Sequence, residues 1–164
     1  MKRCPCGYYG EPRCTCTPGE IQRYAARVSG PLLDRIDIHV EMPGVPYREL
    51  QRIEAGEGSD VVRERVVRAR AVQAERFAGA PGLFTNARMG PKEIRRYCAL
   101  DADGKALLGK AMEKLGLSAR AHDRILRVSR TIADLAGTGC IQTTHLAEAI
   151  QYRSLDRPRW REGG

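Results

Sequence analysis

Apolar positions along the chain follow two different periods. Ala121, Ile125, Val128, Ile132 and Leu135 recur at alternating spacings of four and three, which predicts an amphipathic helix with one buried stripe and Ser118 as its N-cap. Upstream, Ile36, Ile38 and Val40 alternate with Asp37, His39 and Glu41, the period of two expected of a strand over 36–42 buried on one face. Thr17, Pro18 and Glu20 fit the N-cap, first-turn and N3 positions of a capping box, so a short helix is expected over 18–28. Ser59 is placed to cap a long helix over 60–78, with Val62, Val66 and Ala69 on one stripe. Pro91 opens a helix reaching Cys98, a further helix over 101–115 stops at Gly116, and a last one over 143–153 rests on Leu146, Ala147 and Ile150. Gly30 with Pro31, then Pro43, Gly44 and Pro46, then Gly56 and Gly58, separate these elements. The expected fold class is α+β and mostly helical: a Cys-rich loop, one strand and a long helix, followed by an all-α unit.

Composition narrows the class. A chain of 164 residues buries a core of one domain, with or without an appendage. No apolar run approaches the ~18 residues a membrane helix needs, and the first ten residues carry charge, cysteine and glycine where a signal peptide needs an apolar segment. A soluble, cytoplasmic chain is the expectation. The net charge is +8, and between residues 88 and 130 there are 11 Lys and Arg against 5 Asp and Glu. Such a surface suits phosphates, of a nucleotide or of a nucleic acid, with an ordinary solvated helical face as the alternative.

Cys4, Cys6, Cys14 and Cys16 make C-x-C-x7-C-x-C, with Gly7, Gly10 and Pro12 in the connecting loop where the chain must turn back. Four thiolates in two close pairs meet the tetrahedral, all-sulfur preference of structural zinc, the alternative being a redox or disulfide role. Four protein ligands leave no open position for a catalytic water, so the expected role is structural. Cys98 and Cys140 are expected to be small buried hydrophobes. The segment 104–111, GKALLGKA, matches G-x4-G-K, but it sits in helical sequence and has Ala111 where a phosphate-binding loop needs Ser or Thr; a helix surface is expected there.

The string CPCGYYGEPRCTCTPGEIQRYAARVSGPLLDRIDIHVEMP, followed downstream by LGLSARAHDRILRVSRTIADL and HLAEAIQYRSLDR, resembles the C-terminal part of the ComM/YifB group of bacterial magnesium-chelatase-like AAA+ ATPases. The resemblance runs from about Cys4 to Arg157. It implies a cysteine-bound zinc loop over 1–17, the distal end of an AAA+ α/β core over 18–58, a helical lid over 59–157 and a basic tail over 158–164. It also implies an ATP-driven ring, usually hexameric, whose ComM-type members act on DNA as helicases promoting branch migration in recombination; the group's relatives include the MCM helicases and the ATPase subunit of magnesium chelatase. The Walker A and Walker B segments of such proteins are not in this sequence. Members of the group usually place Asn-Pro before the first cysteine pair, where this chain has Lys2 and Arg3. The expectation is a chain cut at that junction or a truncated reading frame, inactive alone, with ATP and Mg bound only in the full-length oligomer.

In the group, the arginine of the LLDR-hydrophobe-D motif reaches the γ-phosphate held by a neighbouring subunit, a role the resemblance carries to Arg35. Asp34 and Asp37 stand ready to orient it, or to withdraw it into an ordinary surface ion pair. Arg120, in LSARAHD, resembles the sensor-2 arginine, and Arg127 is the reserve for that role. Two other readings stand beside this one: a free-standing zinc-containing module that binds nucleic acid without catalysis, and a magnesium-chelatase-type ATPase subunit.

Overall fold

The structure, a computed structural model, describes residues 4–40, 42, 45, 47–50 and 56–153. Lys2, Arg3, Pro43, Gly44, Pro46 and the tail 158–164 lie outside the described residues. The described chain begins with a turn-rich loop, then α1 (Pro18–Ala25), α2 (Gly30–Leu33), α3 (Tyr47–Leu50) and the long α4 (Ser59–Arg76). A 3-10 turn over Asn86–Arg88 leads to α5 (Pro91–Tyr97), α6 (Ala102–Leu115), α7 (Ala119–Leu135) and α8 (Thr143–Gln151).

Local chemistry sets most of these boundaries. At α1 the Glu20 amide donates to Thr17 Oγ1 (3.3 Å) and the Thr17 amide donates to Glu20 Oε2 (2.8 Å), the reciprocal arrangement of a capping box. Asp101 caps α6 by accepting from the Gly104 amide at 2.7 Å, and Gly116 ends that helix in the left-handed region (φ +60°) with the Leu117 amide bonded to the Met112 carbonyl at 3.0 Å. Ser118 accepts from the Ala121 amide at 3.2 Å and starts α7. The GKALLGKA segment lies wholly inside α6, so its amides close helical turns and form no phosphate cradle. At α4 the expected cap moves by one residue: Gly58 is the N-cap and Ser59 is already helical.

The α7 helix is central, packing against α8, α4, α5 and the 3-10 turn. The core brings together Phe77, Met89, Ile94, Leu108, Ile125, Leu126, Ile141 and Leu146. Because neighbours cover α7 over a wide arc, its buried face is broader than the expected stripe and is displaced to one side of it. Leu126, Ser129, Arg130, Ala133 and Asp134 are buried, while Leu135 is 41% exposed. On α4 only Ala69 of the expected stripe is buried, together with Gln73, while Val62 and Val66 are exposed.

No strand is formed over the described part of the expected 36–42, residues 36–40 and 42, and the described residues contain no strand; residue 41 lies outside them. A strand exists through its ladder, and no described segment lies alongside to supply one. The His39 amide donates instead to the Tyr152 carbonyl at the end of α8, at 2.8 Å. The faces are also reversed, with His39 buried and Ile36, Ile38 and Val40 open to solvent.

Candidate functional site

Two groups of candidate functional side chains take shape. The first is the N-terminal loop. Successive turns, with Gly7 amide to Cys4 carbonyl (3.2 Å), Glu11 to Tyr8 (2.9 Å) and Cys14 to Glu11 (2.9 Å), fold the chain back on itself. Gly7 (φ +87°) and Gly10 (φ +79°) take the left-handed positions that this reversal needs. The Sγ atoms of Cys4, Cys6, Cys14 and Cys16 all lie within 4.8 Å of one another, with Cys4–Cys6 at 3.4 Å, Cys6–Cys14 at 3.7 Å and Cys4–Cys14 at 3.9 Å. Four sulfurs at ~2.3 Å from a tetrahedral zinc are about 3.8 Å apart, so the set fits that ion. None of the cysteines is in a disulfide.

The thiols do not share charge evenly. Backbone donors at Tyr8 and Thr15 pull Cys6 down to about 6. Cys16 has a backbone donor at Cys6, yet burial and the neighbouring sulfurs push it up to about 12. A divalent cation among the sulfurs would resolve this conflict by holding all four as thiolates. Of the two remaining cysteines, Cys98 is buried, with its thiol pushed up to about 11 by burial. Cys140 is exposed on the turn before α8, contrary to the expectation of a buried hydrophobe, because that turn faces solvent.

The second group surrounds Arg35. A single turn after α2, with the Arg35 and Ile36 amides donating to the Leu32 and Leu33 carbonyls (both 3.0 Å), places Arg35 on the surface while Leu33 anchors the turn from below. The flanking aspartates do not orient Arg35. Asp37 pairs with Arg124 of α7, and Asp34 faces Arg153 at the end of α8, Oδ1 to Nη2 at 3.8 Å. Arg153 also donates from Nη1 to the Ile36 carbonyl. Among the described residues, no hydrogen bond or ion pair takes up the Arg35 side chain.

Arg120 is exposed on the first turn of α7, four residues before Arg124 and so on the same side of the helix. Arg127 is half-buried, its Nε donating to the Met89 carbonyl at 3.0 Å. Beneath them lies a cluster that sequence reasoning did not single out. Asp134 accepts from Arg76 (Nη1 to Oδ2, 2.7 Å), from Asn86 (2.7 Å) and from Arg130 (3.1 Å). Arg130 in turn donates to the carbonyls of Gly139 (2.9 Å) and Thr138 (2.7 Å). The i, i+4 spacing of Arg130 and Asp134 was the readable signal; Arg76, 58 residues away, gave none.

No helix of the described residues is long and apolar enough to cross a membrane. The family described as Magnesium chelatase, subunit ChlI matches residues 1–50, and that described as Magnesium chelatase, subunit ChlI C-terminal matches residues 56–153. Competence protein ComM of Haemophilus influenzae is 46% identical over 158 residues, covering 96% of this chain and 30% of that protein. The YifB proteins of Salmonella typhimurium and Escherichia coli are 40% and 39% identical over the same coverage. The chain thus spans about 30% of the length of the curated relatives it matches.

Proposed function

The chain belongs to the magnesium chelatase family, in its ComM/YifB group, and from that premise we propose that it is the C-terminal part of an AAA+ ATPase ring that remodels DNA, with Arg35 as the finger offered to a neighbouring subunit's nucleotide. The observation that carries this reading is the state of Arg35: exposed, taken up by no described side chain, and flanked by Asp37, which pairs with Arg124, and Asp34, which faces Arg153. A guanidinium withdrawn into a local ion pair has little left for a phosphate, whereas this one is held at the surface with its five donors available.

Arg120 supports the reading as the sensor-2 arginine. At the mouth of α7 its charge adds to the backbone donors and dipole that favour phosphate there. Arg127, tied to the Met89 carbonyl, is the weaker candidate for that role. The four cysteines would hold zinc as a structural staple for a loop in which Cys4 is the one buried cysteine. DNA as the substrate draws on the exposed basic residues of α5 and α6, Lys92, Arg95, Arg96, Lys105, Lys110 and Lys114, and on the competence name of the ComM relative. The family description also favours a second reading, a chelatase subunit driving metal insertion into a porphyrin. DNA-stimulated ATP turnover separates the two.

The test of the finger is Arg35→Ala in the complete ring. Turnover should fall by about 10³-fold or more with nucleotide affinity retained, since fingers of this kind supply ~10³ to 10⁵ in rate. Unchanged turnover would leave Arg35 a surface residue.

A further inference from the structure

Beyond its own turn, the Arg35 segment is tied by hydrogen bonds and ion pairs to the C-terminal helices. Arg153 is buried, with 1% of its side chain exposed, although it lies in the turn just past α8 and carries a charge. Such a cation is stable inside only when it is compensated, and among its partners are the Ile36 carbonyl, 117 residues upstream, which accepts from Nη1, and the Asp34 carboxylate, which faces Nη2 at 3.8 Å. The adjoining Tyr152 carbonyl receives the His39 amide at 2.8 Å. From α7, Arg124 reaches Asp37 across a separation of 87 residues. Asp34, Ile36, Asp37 and His39 are therefore held on both sides of Arg35, and Arg35 is left out.

We infer that Arg153, assisted by Arg124, is a positioning residue that clamps the Arg35 segment to the lid, so that presentation of the finger follows the position of the lid. This rests on the finger reading above. The planar guanidinium suits the task, because one side chain in fixed orientation spans a carbonyl on one side of the turn and a carboxylate on the other; a lysine ammonium in the same place can reach one of them but has no fork. The clamp also gives the lid arginines and the finger a common frame: Arg120 stands on the same side of α7 as Arg124, which grips the finger turn. A change at the lid's nucleotide contact in one subunit is then felt at the finger which that subunit offers to its neighbour.

The experiment combines amide hydrogen exchange with ATP turnover in the complete protein, for Arg153→Lys, Asp34→Asn, Arg35→Ala and the double variant Arg153→Lys/Arg35→Ala. Arg153→Lys should speed exchange of the His39 amide by at least ~10-fold while the amides of mid-α7 keep their protection, showing that the lid is still folded. It should lower kcat by up to about 10²-fold with KM for ATP unchanged, the loss expected of a displaced but intact catalytic group. Added to Arg35→Ala it should cause no further loss. Asp34→Asn, which leaves Arg153 in place, should move exchange and kcat the same way but less. Unaltered exchange at His39, or a double variant whose losses multiply in full, overturns the clamp. Wild-type turnover in Arg35→Ala overturns the finger reading instead, and exchange at His39 still decides by itself whether the segment is clamped.

Discussion

Asp134 accepts hydrogen bonds from two arginines and an amide while its side chain is fully shielded from water. Burial works to raise its carboxyl, but the hydrogen bonds from Arg76 and Asn86 and the charge of Arg130 outweigh that and hold it below the usual carboxylate range. A carboxyl lowered in the folded state favours folding fully above its unfolded value, near 4, and that contribution is lost as pH falls through the lowered folded value. Stability of the helical unit should accordingly drop in acid below about pH 4, and this acid limb should flatten in Asp134→Asn. Asp134→Ala leaves Arg130 as an uncompensated buried cation and Arg76 as a partly buried one, and should cost about 3–5 kcal/mol by denaturant unfolding. A loss under ~1 kcal/mol would mean that water already screens the cluster. At this scale the sequence was legible where partners are close along the chain: Thr17 with Glu20 and Ser118 with the start of α7. It was silent on Arg153, whose partners lie more than a hundred residues away and leave no periodic trace.

Among the elements, helices were legible because their caps and breakers are local. Pro91, Asp101 and Gly116 bound α5 and α6 within a residue of expectation. The strand was not, since alternation reports a face that some sheet could cover and says nothing of whether that sheet is present. The exposed Ile36, Ile38 and Val40 are that face. The cysteine loop was legible as a candidate metal site from its spacing, and the structure brings the four sulfurs together. With its four sulfurs within 4.8 Å of one another and none of its residues in the described hydrophobic core, the loop should depend on metal. Elemental analysis should find about one zinc per chain, and chelation should loosen the cysteine loop while α4 to α8 keep their melting transition, because the core residues all lie in 77–149. A chain whose loop amides are equally protected with and without chelator would contradict a structural zinc.

For the molecule as a whole, the basic excess noted between 88 and 130 divides in the structure: Arg130 is interior, Arg124 and Arg127 are half-buried, and Arg88, Lys92, Arg95, Arg96, Lys105, Lys110, Lys114 and Arg120 remain exposed. If that surface meets DNA phosphates, affinity should fall steeply with salt, each phosphate contact adding about −0.9 to the slope of log K against log salt, and charge reversal at Lys92 and Arg96 should reduce the slope. Salt-independent binding would point away from nucleic acid. The central claim, however, is that Arg35 works on a neighbour's nucleotide, and subunit mixing tests it most directly. One subunit type carries Arg35→Ala; the other keeps Arg35 but lacks the phosphate-loop lysine that binds its own nucleotide. Each should be inactive by itself. Rings assembled from both should recover substantial ATP turnover, because the second type lends its finger to nucleotide held by the first. Mixed rings as silent as either parent would contradict the claim.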